Sequence, residues 1–505
     1  MGREDQIIES RIKKVEELRK LGINPYPNKF DFKHYANELQ EKYKKLKKEG
    51  KTKDKVSVAG RVMIKRDLGK ISFATIQDSS GKIQIVSQQG ETPSKKFEFF
   101  KKYVDAGDFV GVEGIILRTK TGELSVLIKN IELLTKSILP LPEKYHGLQD
   151  KEERYRKRYL DLVINPEVKE VFLKREKIVN TIRNLLKENN FVEVETPTLQ
   201  SVYGGASATP FKTHLNALDI DLFLSISPEL YLKRLVVGGI DRVFTICKNF
   251  RNEGIDMFHN PEFTMMEYYI AYENYEYHIK FTEKLFNILK KELKLSNKIK
   301  YGDKQINLKT PFKRIKFRDL LIKEIGIDID KANNFVKLKK EIESKKLKDV
   351  DIKGCSHYGA LLDELYKRVV RPSIIQPTFL THYPVEMIAL AKRNEKDPSK
   401  INSVQLIIDG AEIVKAYDEL NDPLDQEKRL KEQANLLRGG DDEAMPMDED
   451  FVNALKVGMP PTAGYGLGVD RLTIILTNQP SIRDVILFPF MKPEIEDNKE
   501  KNGNK

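Results

Sequence analysis

"FRNEGIDMFHNPEFTMMEYY", residues 250 to 269, is the stretch on which the reading of this chain turns. In the run that leads into it, Phe244, Ile246 and Phe250 alternate with Val243, Thr245 and Cys247, which is the period of a strand. Side chains two apart on a strand share a face, so Arg251 and Glu253 are expected together. After a loop from 254 to 261, a second strand is expected to carry Phe263, Met265, Glu267 and Tyr269 on one face. Paired as a hairpin, the two strands gather a guanidinium, carboxylates, an aromatic ring and a phenol on one concave surface. The planar fork of an arginine can hold a phosphate oxygen and a carboxylate together. Phe263 offers a face on which a purine can stack, and His259 in the loop can meet a terminal phosphate. Taken alone, the stretch reads equally as a surface hairpin with ordinary salt bridges.

Three further segments weigh against the plain hairpin. "PPTAGYGLGVDRLTIILT" has Gly464, Gly466 and Gly468 on alternate positions, which predicts a strand bare on one face, followed by a helix that presents Arg471. "IIDGAEIVKAYDELNDP" contains an Asp-Gly turn expected to pair Gln405 and Ile407 with Val414 and Glu412 across a tight hairpin. "GGASATPF" and "SPELYLKRL" add a flexible glycine pair and Glu229 at a strand-to-helix boundary.

Around this centre, 505 residues are too many for one core, and several domains are expected. A composition 40% hydrophobic and 32% charged, with 24 Phe and 20 Tyr, describes a globular chain rather than a disordered one. No apolar run approaches the roughly 20 residues a bilayer requires, and "MGREDQIIESRIKK" lacks the apolar core of a secretory signal, so a cytoplasmic location and no membrane are expected. Two cysteines, Cys247 and Cys355, exclude a disulfide framework and a cysteine-based zinc cluster. The formal charge of +12 fits a polyanionic partner and also a lysine-rich solvated surface. The same two readings apply to residues 41 to 55, with eight lysines against three acids.

The first segment places Ile8, Ile12, Val15 and Leu18 at helical spacing and stops at Gly22. From residue 56 the period changes to two: Val56, Val58, Gly60, Val62 and Ile64 alternate with small or polar residues. Five short strands in some 80 residues, interrupted by the helix-like "PSKKFEFFKKYV", predict a small barrel of the oligonucleotide-binding type. Phe73, on one of its strands, is either a core residue or a platform for stacked bases. Prolines and a dense charged run place a boundary near 140 to 150. Beyond it, Val168, Val171, Phe172, Ile178, Val179, Ile182, Leu185 and Leu186 stripe a long helix that leads into "FVEVETP". Strands concentrate in 240–270 and 403–475 and helices in 275–300 and 330–370, so an α+β domain on an antiparallel sheet is expected. Neither a GxxxxGK[ST] loop nor a GxGxxG after a strand occurs.

In these segments the chain resembles class II aminoacyl-tRNA synthetases: the long helix with "FVEVETP", "FRNE" with "HNPEF", and "GYGLGVDR" match the three signature motifs. Within the class the likeness is to the lysyl branch, through "GGASATPF", "PELYLKRLVVGGIDRVF", "RNEGIDMFHNPEFTMMEYYIAY", "DELNDP" and "PPTAGYGLGVDR", and it covers almost the whole chain. The resemblance implies an anticodon-binding OB-fold domain with its leading helix over 1–140, a catalytic domain over 141–491 with a helical insertion at roughly 300–375, and a disordered tail over 492–505. It implies L-lysine, ATP and tRNA(Lys) as partners, Mg2+ as cofactor and a homodimer. Residue by residue, it implies that Arg251 bridges the α-phosphate and the amino-acid carboxylate, that Phe263 and Arg471 sandwich adenine, and that Glu253, His259 and Asn260 hold the rest of the nucleotide. Gly205 and Glu229 would take the α-amino group, and Glu267, Tyr269 and Glu419 the ε-ammonium. Glu412 would bind metal, and Arg61, Phe73 and Gln84 would read the anticodon.

Two positions depart from the lysyl pattern. Gln405 stands where a metal-binding glutamate is usual, and Lys415 where an asparagine near the amino-acid carboxylate is usual. One negative charge is lost and one positive gained in the same hairpin, so the ammonium of Lys415 is a candidate to replace part of a metal's neutralisation. Rival readings are an aspartyl- or asparaginyl-type enzyme on the same scaffold, a barrel-less relative that lysylates protein, and an RNA-binding protein whose catalytic half has decayed. The Glu267 and Glu419 pair argues against the first, the barrel against the second, and the joint retention of Arg251, Phe263, Glu267, Glu419 and Arg471 against the third.

Overall fold

The computed structural model describes residues 2–142 and 148–493, in two compact units, Met1–Gln149 and Asp150–Lys505. Part of the expected boundary, 143–147, lies outside the described residues, as does the expected tail from 494 onward.

In the first unit the leading helix, Arg3–Lys20, buries Val15 and Leu18 as its spacing predicts, but Ile12 is exposed and Arg11 is buried instead. The reason is hydrogen bonding: the Arg11 guanidinium donates to the carbonyls of Ala106, Ser137 and Leu139 at 2.7–3.0 Å. Five strands, β1 (Lys51–Asp67), β2 (Ile71–Gln77), β3 (Lys82–Gln88), β4 (Phe109–Arg118) and β5 (Leu124–Thr135), close into a barrel in the order β1-β2-β3-β5-β4. The helix Ser94–Tyr103 lies in sequence between β3 and β4, as expected. Val56, Val58, Val62, Ile83, Ile85, Val110, Val112, Val126 and Ile128 fill the barrel. The alternation expected along β1 breaks at a bulge between Val62 and Ile64. Beyond it the phase reverses: Ile64 sits opposite Thr75 on the outer face, and Lys65 sits opposite the buried Ala74. The Lys65 ammonium is satisfied there by the carbonyls of Lys101 and Val104, at 2.8 and 2.9 Å.

The second unit is built on an eight-stranded sheet in the order β14-β15-β16-β17-β18-β11-β10-β6. Its strands are β6 (Val192–Glu193), β10 (Arg242–Phe250), β11 (Glu262–Ala271), β14 (Lys313–Lys316), β15 (Thr378–Thr381), β16 (Ser403–Ile408), β17 (Ala411–Asp418) and β18 (Thr462–Gly468). Only the two end pairs, β14 with β15 and β10 with β6, are parallel. The small sheet of β7 (Leu199–Gln200), β8 (Lys212–Leu215) and β9 (Ile220–Leu224) lies apart from it, as does the hairpin of β12 (Lys298–Tyr301) and β13 (Lys304–Asn307). The fold is thus α+β on an antiparallel sheet. Residues 300–375 are less purely helical than expected, because β12, β13 and β14 precede the helices Phe317–Ile325, Phe335–Ser344 and Tyr358–Leu365.

One face of the large sheet carries Phe244, Met266, Tyr268 and Tyr465, which pack with Ile178 and Ile182 of the helix Pro166–Glu188, Leu285 and Phe286 of Tyr275–Glu292, and Leu472 and Ile475 of Val469–Thr477. Each large side chain so buried contributes roughly 1.5–3 kcal/mol. Because strand side chains alternate, that choice sends Thr245, Glu267, Tyr269, Lys415 and Tyr417 to the opposite face.

Candidate active site

The hairpin expected from the opening stretch forms, with β10 and β11 in register from Arg242↔Ile270 to Asn249↔Phe263 and Phe250↔Glu262. Phe263, Met265, Glu267 and Tyr269 share one face. Arg251 and Glu253 are not strand residues, however, since β10 ends at Phe250. The cause is a change of partner: Arg251 N–H still donates to Pro261 O at 2.9 Å, but Asn252 N–H turns to Thr209 O at 2.8 Å. Glu253 is left in an exposed loop. The Arg251 guanidinium lies 5.1 Å from the Phe263 ring centroid. Its buried Nε has no hydrogen-bond partner among the described residues.

The Asp-Gly turn takes left-handed backbone at both central residues, Asp409 at φ 49° and Gly410 at φ 71°, as a tight hairpin requires. Ile407 pairs with Glu412 as expected, but a bulge follows, so Gln405 pairs with Lys415 instead of Val414. The extra residue carries a polar row straight across the sheet, Gln405↔Lys415↔Gly466↔Glu267↔Thr245. Beside it runs a second row, Tyr417↔Gly464↔Tyr269↔Val243.

The bare floor expected from the three glycines is only partly bare. A Cβ on Gly464 would lie 2.0 Å from Glu419 Oε1 and 2.5 Å from Tyr269 Cε1, so that space is already filled by the site's own side chains. At Gly466 the nearest atom would be Met265 Cε at 3.3 Å, and at Gly468 it would be Arg471 Cδ at 3.7 Å. The open part of the floor is therefore beside Met265 and Arg471.

Deeper in, three carboxylates converge. Glu229, Glu267 and Glu419 are 3%, 5% and 1% exposed, close enough together that all three act on the buried Tyr269 phenol. Ser227 Oγ donates to Glu267 Oε1 at 3.0 Å and accepts from Glu229 N–H at 3.2 Å. Tyr269 OH donates to Glu267 Oε2 at 3.4 Å, and Tyr417 OH donates to Glu229 at 2.9 Å. Lys233, one turn along the helix Glu229–Val237, donates to Glu229 Oε1 at 2.6 Å and also contacts Glu419. Glu419 Oε1 is buried with no hydrogen-bond partner among the described residues. Burial, with Glu229 adding repulsion, pushes the Glu267 carboxyl up to about 8 despite its hydrogen bonds and Arg251. Burial likewise pushes the Cys247 thiol up to about 12, helped by Glu267, which removes it as a nucleophile. Gly205, at φ 84°, closes the cup, since a Cβ there would lie 2.8 Å from Glu229 Cβ and 2.9 Å from Ser227 Oγ.

On the other side, Arg471 is fixed by Glu412 O at 3.2 Å and by His259 Nε2 at 3.0 Å. Because Arg471 donates, His259 accepts at Nε2 and keeps its proton on Nδ1, 2.8 Å from Asp256. Burial and Arg471 hold this imidazole below its ordinary value, with Asp256 opposing them. Asn260 donates to Glu262 O at 2.6 Å and leaves its buried Oδ1 without a partner among the described residues. Burial works to raise the Glu412 carboxyl, but Lys415, Arg471, Arg371 and Lys367 outweigh it and hold it low. The carbonyl of Gln405 accepts from Tyr383 OH at 2.5 Å, so its oxygen is already engaged. Among the described residues no group of three or more His, Cys, Asp or Glu is placed to hold a metal. A lone carboxylate amid cations suits an ion shared with substrate phosphates, not a cage made by protein alone.

On the barrel, Arg61, Phe73 and Gln84 occupy the outward face of adjacent strands. Arg61 faces Gln77, Phe73 faces Val86, and Gln84 faces Thr75, while Ala74, Ile76, Ile83 and Ile85 point inward. Phe73 is half-buried, not a core residue. Arg61 is steadied by Gly107 O at 3.0 Å and Gln84 by Ser125 Oγ at 2.7 Å.

Sequence reasoning missed Ser227, Lys233, Asp256, Lys367, Arg371 and Tyr417. Two had a signal: Lys233 lies one helical turn from Glu229, and Asp256 lies three residues before His259 in a turn. Arg371 and Lys367 reach the site from a distant segment, which no local spacing announces.

Comparison with known proteins agrees with this geometry. The family of tRNA synthetases class II (D, K and N) matches residues 150–492, and the OB-fold nucleic acid binding domain matches residues 56–134. A lysine–tRNA ligase of Pelotomaculum thermopropionicum is 44% identical over 97% of this chain and 96% of its own length. The lysine–tRNA ligase 2 of Methanosarcina mazei is 47% identical over 96% and 94%, and a lysine–tRNA ligase of Christiangramia forsetii is 45% identical over 95% and 85%. An antiparallel catalytic sheet, an OB-fold barrel and near-complete coverage of these relatives leave one conclusion: the chain belongs to the lysine–tRNA ligase family of class II tRNA synthetases.

Proposed function

We propose that this protein joins lysine to tRNA(Lys) at the expense of ATP, forming lysyl-adenylate and pyrophosphate first and then esterifying the terminal ribose of the tRNA. The observation that carries the reading is the buried cup of Glu229, Glu267 and Glu419 beside Arg251. An acidic cup this dry is costly unless cations enter it, and a substrate that lacks one is rejected because it leaves the carboxylates unpaired. In this reading Glu267, Tyr269 and Glu419 receive the ε-ammonium, and Gly205 and Glu229 receive the α-amino group. Arg251, whose Nε has no hydrogen-bond partner among the described residues, holds the carboxylate and the α-phosphate together. Adenine lies between Phe263 and Arg471, against the open glycines, and Asn260, His259 and Glu253 flank the rest of the nucleotide.

No protein nucleophile is required. The lysine carboxylate, already anionic, attacks the α-phosphorus in line as pyrophosphate leaves, and Arg251, Arg471 and Lys415 oppose the negative charge spread over the phosphoryl oxygens. When Mg2+ is bound, Glu412 would hold it with phosphate oxygens, and the ion supplies further neutralisation of the triphosphate. Gln405 brings no negative charge and its amide oxygen already accepts from Tyr383, and the cations Lys415, Arg371 and Lys367 surround Glu412; both support fewer ions than the two-carboxylate arrangement usual in lysyl enzymes. The outer face of the barrel carries anticodon recognition, with Phe73 as the stacking platform. A homodimer in the cytoplasm completes the proposal, on the strength of the long helix Pro166–Glu188 and its motif.

The test is amino-acid-dependent ATP–pyrophosphate exchange across the twenty amino acids. A signal with lysine alone is expected; a signal with aspartate or asparagine, or none at all, overturns the assignment.

A further inference from the structure

Lys233 is a fully buried ammonium whose nearest anions are two of the cup's three carboxylates. It is not a surface residue that reaches in. Its side chain is 0% exposed, enclosed by Glu229, Glu419 and the rings of Tyr417 and Phe451, whose centroids lie 5.9 and 5.8 Å away. Burial works against its charge, but Glu229 and Glu419 outweigh that and hold it protonated. Lys233 pairs with Glu229 and Glu419. With Arg251 assigned to the substrate carboxylate, and with Glu229, Glu267 and Glu419 all ionised around a bound substrate, one internal cation against three carboxylates leaves two negative charges uncompensated. Lysine has two ammonium groups.

We propose that Lys233 is a specificity-determining positioning residue: a permanent internal cation that sets the cup to accept two positive charges, not three. It touches the carboxylates rather than the substrate, and so acts through Glu229 and Glu419. Its contact with Glu229 fixes that carboxylate beside Tyr417, and its contact with Glu419 leaves Oε1 free to accept from an incoming ammonium. This role rests on the lysine-pocket reading above.

The test separates the two. Lysine and ATP KM and kcat are measured by pyrophosphate exchange in the full-length enzyme and in E267Q, E419Q, K233M and K233M/E419Q. K233M is expected to raise the lysine KM at least about tenfold, with the ATP KM and kcat little changed, as for lost ground-state binding. The decisive comparison is the double variant. E419Q alone leaves Lys233 facing a neutral amide and one net negative charge too few, whereas adding K233M restores two. The double variant, which removes both members of a buried pair, is also the one suited to fold where K233M alone is not. It is expected to bind lysine about tenfold or more better than E419Q. A double variant no better than E419Q, or a folded K233M with unchanged lysine KM, overturns the proposal. If E267Q and E419Q themselves leave lysine KM unchanged, the pocket reading fails instead.

Discussion

Under the proposed reading the barrel recognises tRNA and the cup an amino acid, and the two candidate sites are built on opposite terms. On the barrel, Arg61, Phe73 and Gln84 stand on the outside of a core already complete without them. In the cup, Glu229, Glu267 and Glu419 are themselves part of the interior, stripped of water and held by Ser227, Tyr269, Tyr417 and Lys233. Recognition on the barrel is therefore an addition to a stable fold, whereas recognition in the cup draws on the groups that hold the fold together. Substitutions should reflect this: barrel variants should lose tRNA and nothing else, and cup variants should lose amino-acid discrimination with some stability.

The largest effect is expected at the edge of the cup. Arg251→Ala should lower kcat for lysyl-adenylate formation about 10²–10³-fold, since it removes charge stabilisation at the reacting phosphorus; lysine-dependent ATP–pyrophosphate exchange measures it. Next, Glu267→Gln should lower kcat/KM for lysine by roughly 10²-fold, at about 1.4 kcal/mol per tenfold, and leave ATP KM unchanged.

Glu267 also gives the cup a pH signature of its own. Its carboxyl sits near 8 in the empty site, so below that pH the empty cup holds a proton there. An arriving ammonium favours the carboxylate and expels the proton. Lysine affinity should accordingly rise with pH up to about 8, and near pH 7 each lysine bound should release up to about one proton from Glu267, to which Glu419, also raised by burial, can add. Calorimetry in buffers of different ionisation heat reads that number; proton uptake would contradict it.

On the barrel, Phe73→Ala should raise the KM for tRNA about 10–100-fold, the loss of one stacked base at roughly 1–3 kcal/mol, with lysine-dependent pyrophosphate exchange unaltered. Loss of both activities would erase the contrast. The smallest effect belongs to Ile12→Ser, expected to change stability by less than about 0.5 kcal/mol because the side chain is exposed. Thermal denaturation checks it.

Periodicity made the architecture readable, since a barrel and an antiparallel sheet both announce themselves by alternation, and the same alternation puts Phe263, Glu267 and Tyr269 on one face. Where the reading slipped, one extra residue or one unusual partner was responsible. The bulge between Leu406 and Ile407 moved Gln405 from Val414 to Lys415, and the bulge in β1 turned Ile64 outward. Arg11 displaced Ile12 because three backbone carbonyls lay within its reach. The glycines of β18 were read as an empty floor, but Gly464 is a glycine so that Glu419 and Tyr269 can meet over it. Lys233 escaped notice because a lysine beside a glutamate on a helix usually marks a solvated pair; only the packing around it shows that the pair is internal.

The idea beneath all of this is that buried acid selects a positively charged tip, and norleucine, lysine's apolar counterpart without the ε-ammonium, puts it to the most direct trial. In pyrophosphate exchange the kcat/KM for lysine is expected to exceed that for norleucine by about 10⁴-fold or more, as for a site whose buried polar groups would be left unpaired. A ratio below about 10²-fold would mean that Glu267 and Glu419 do not choose the substrate.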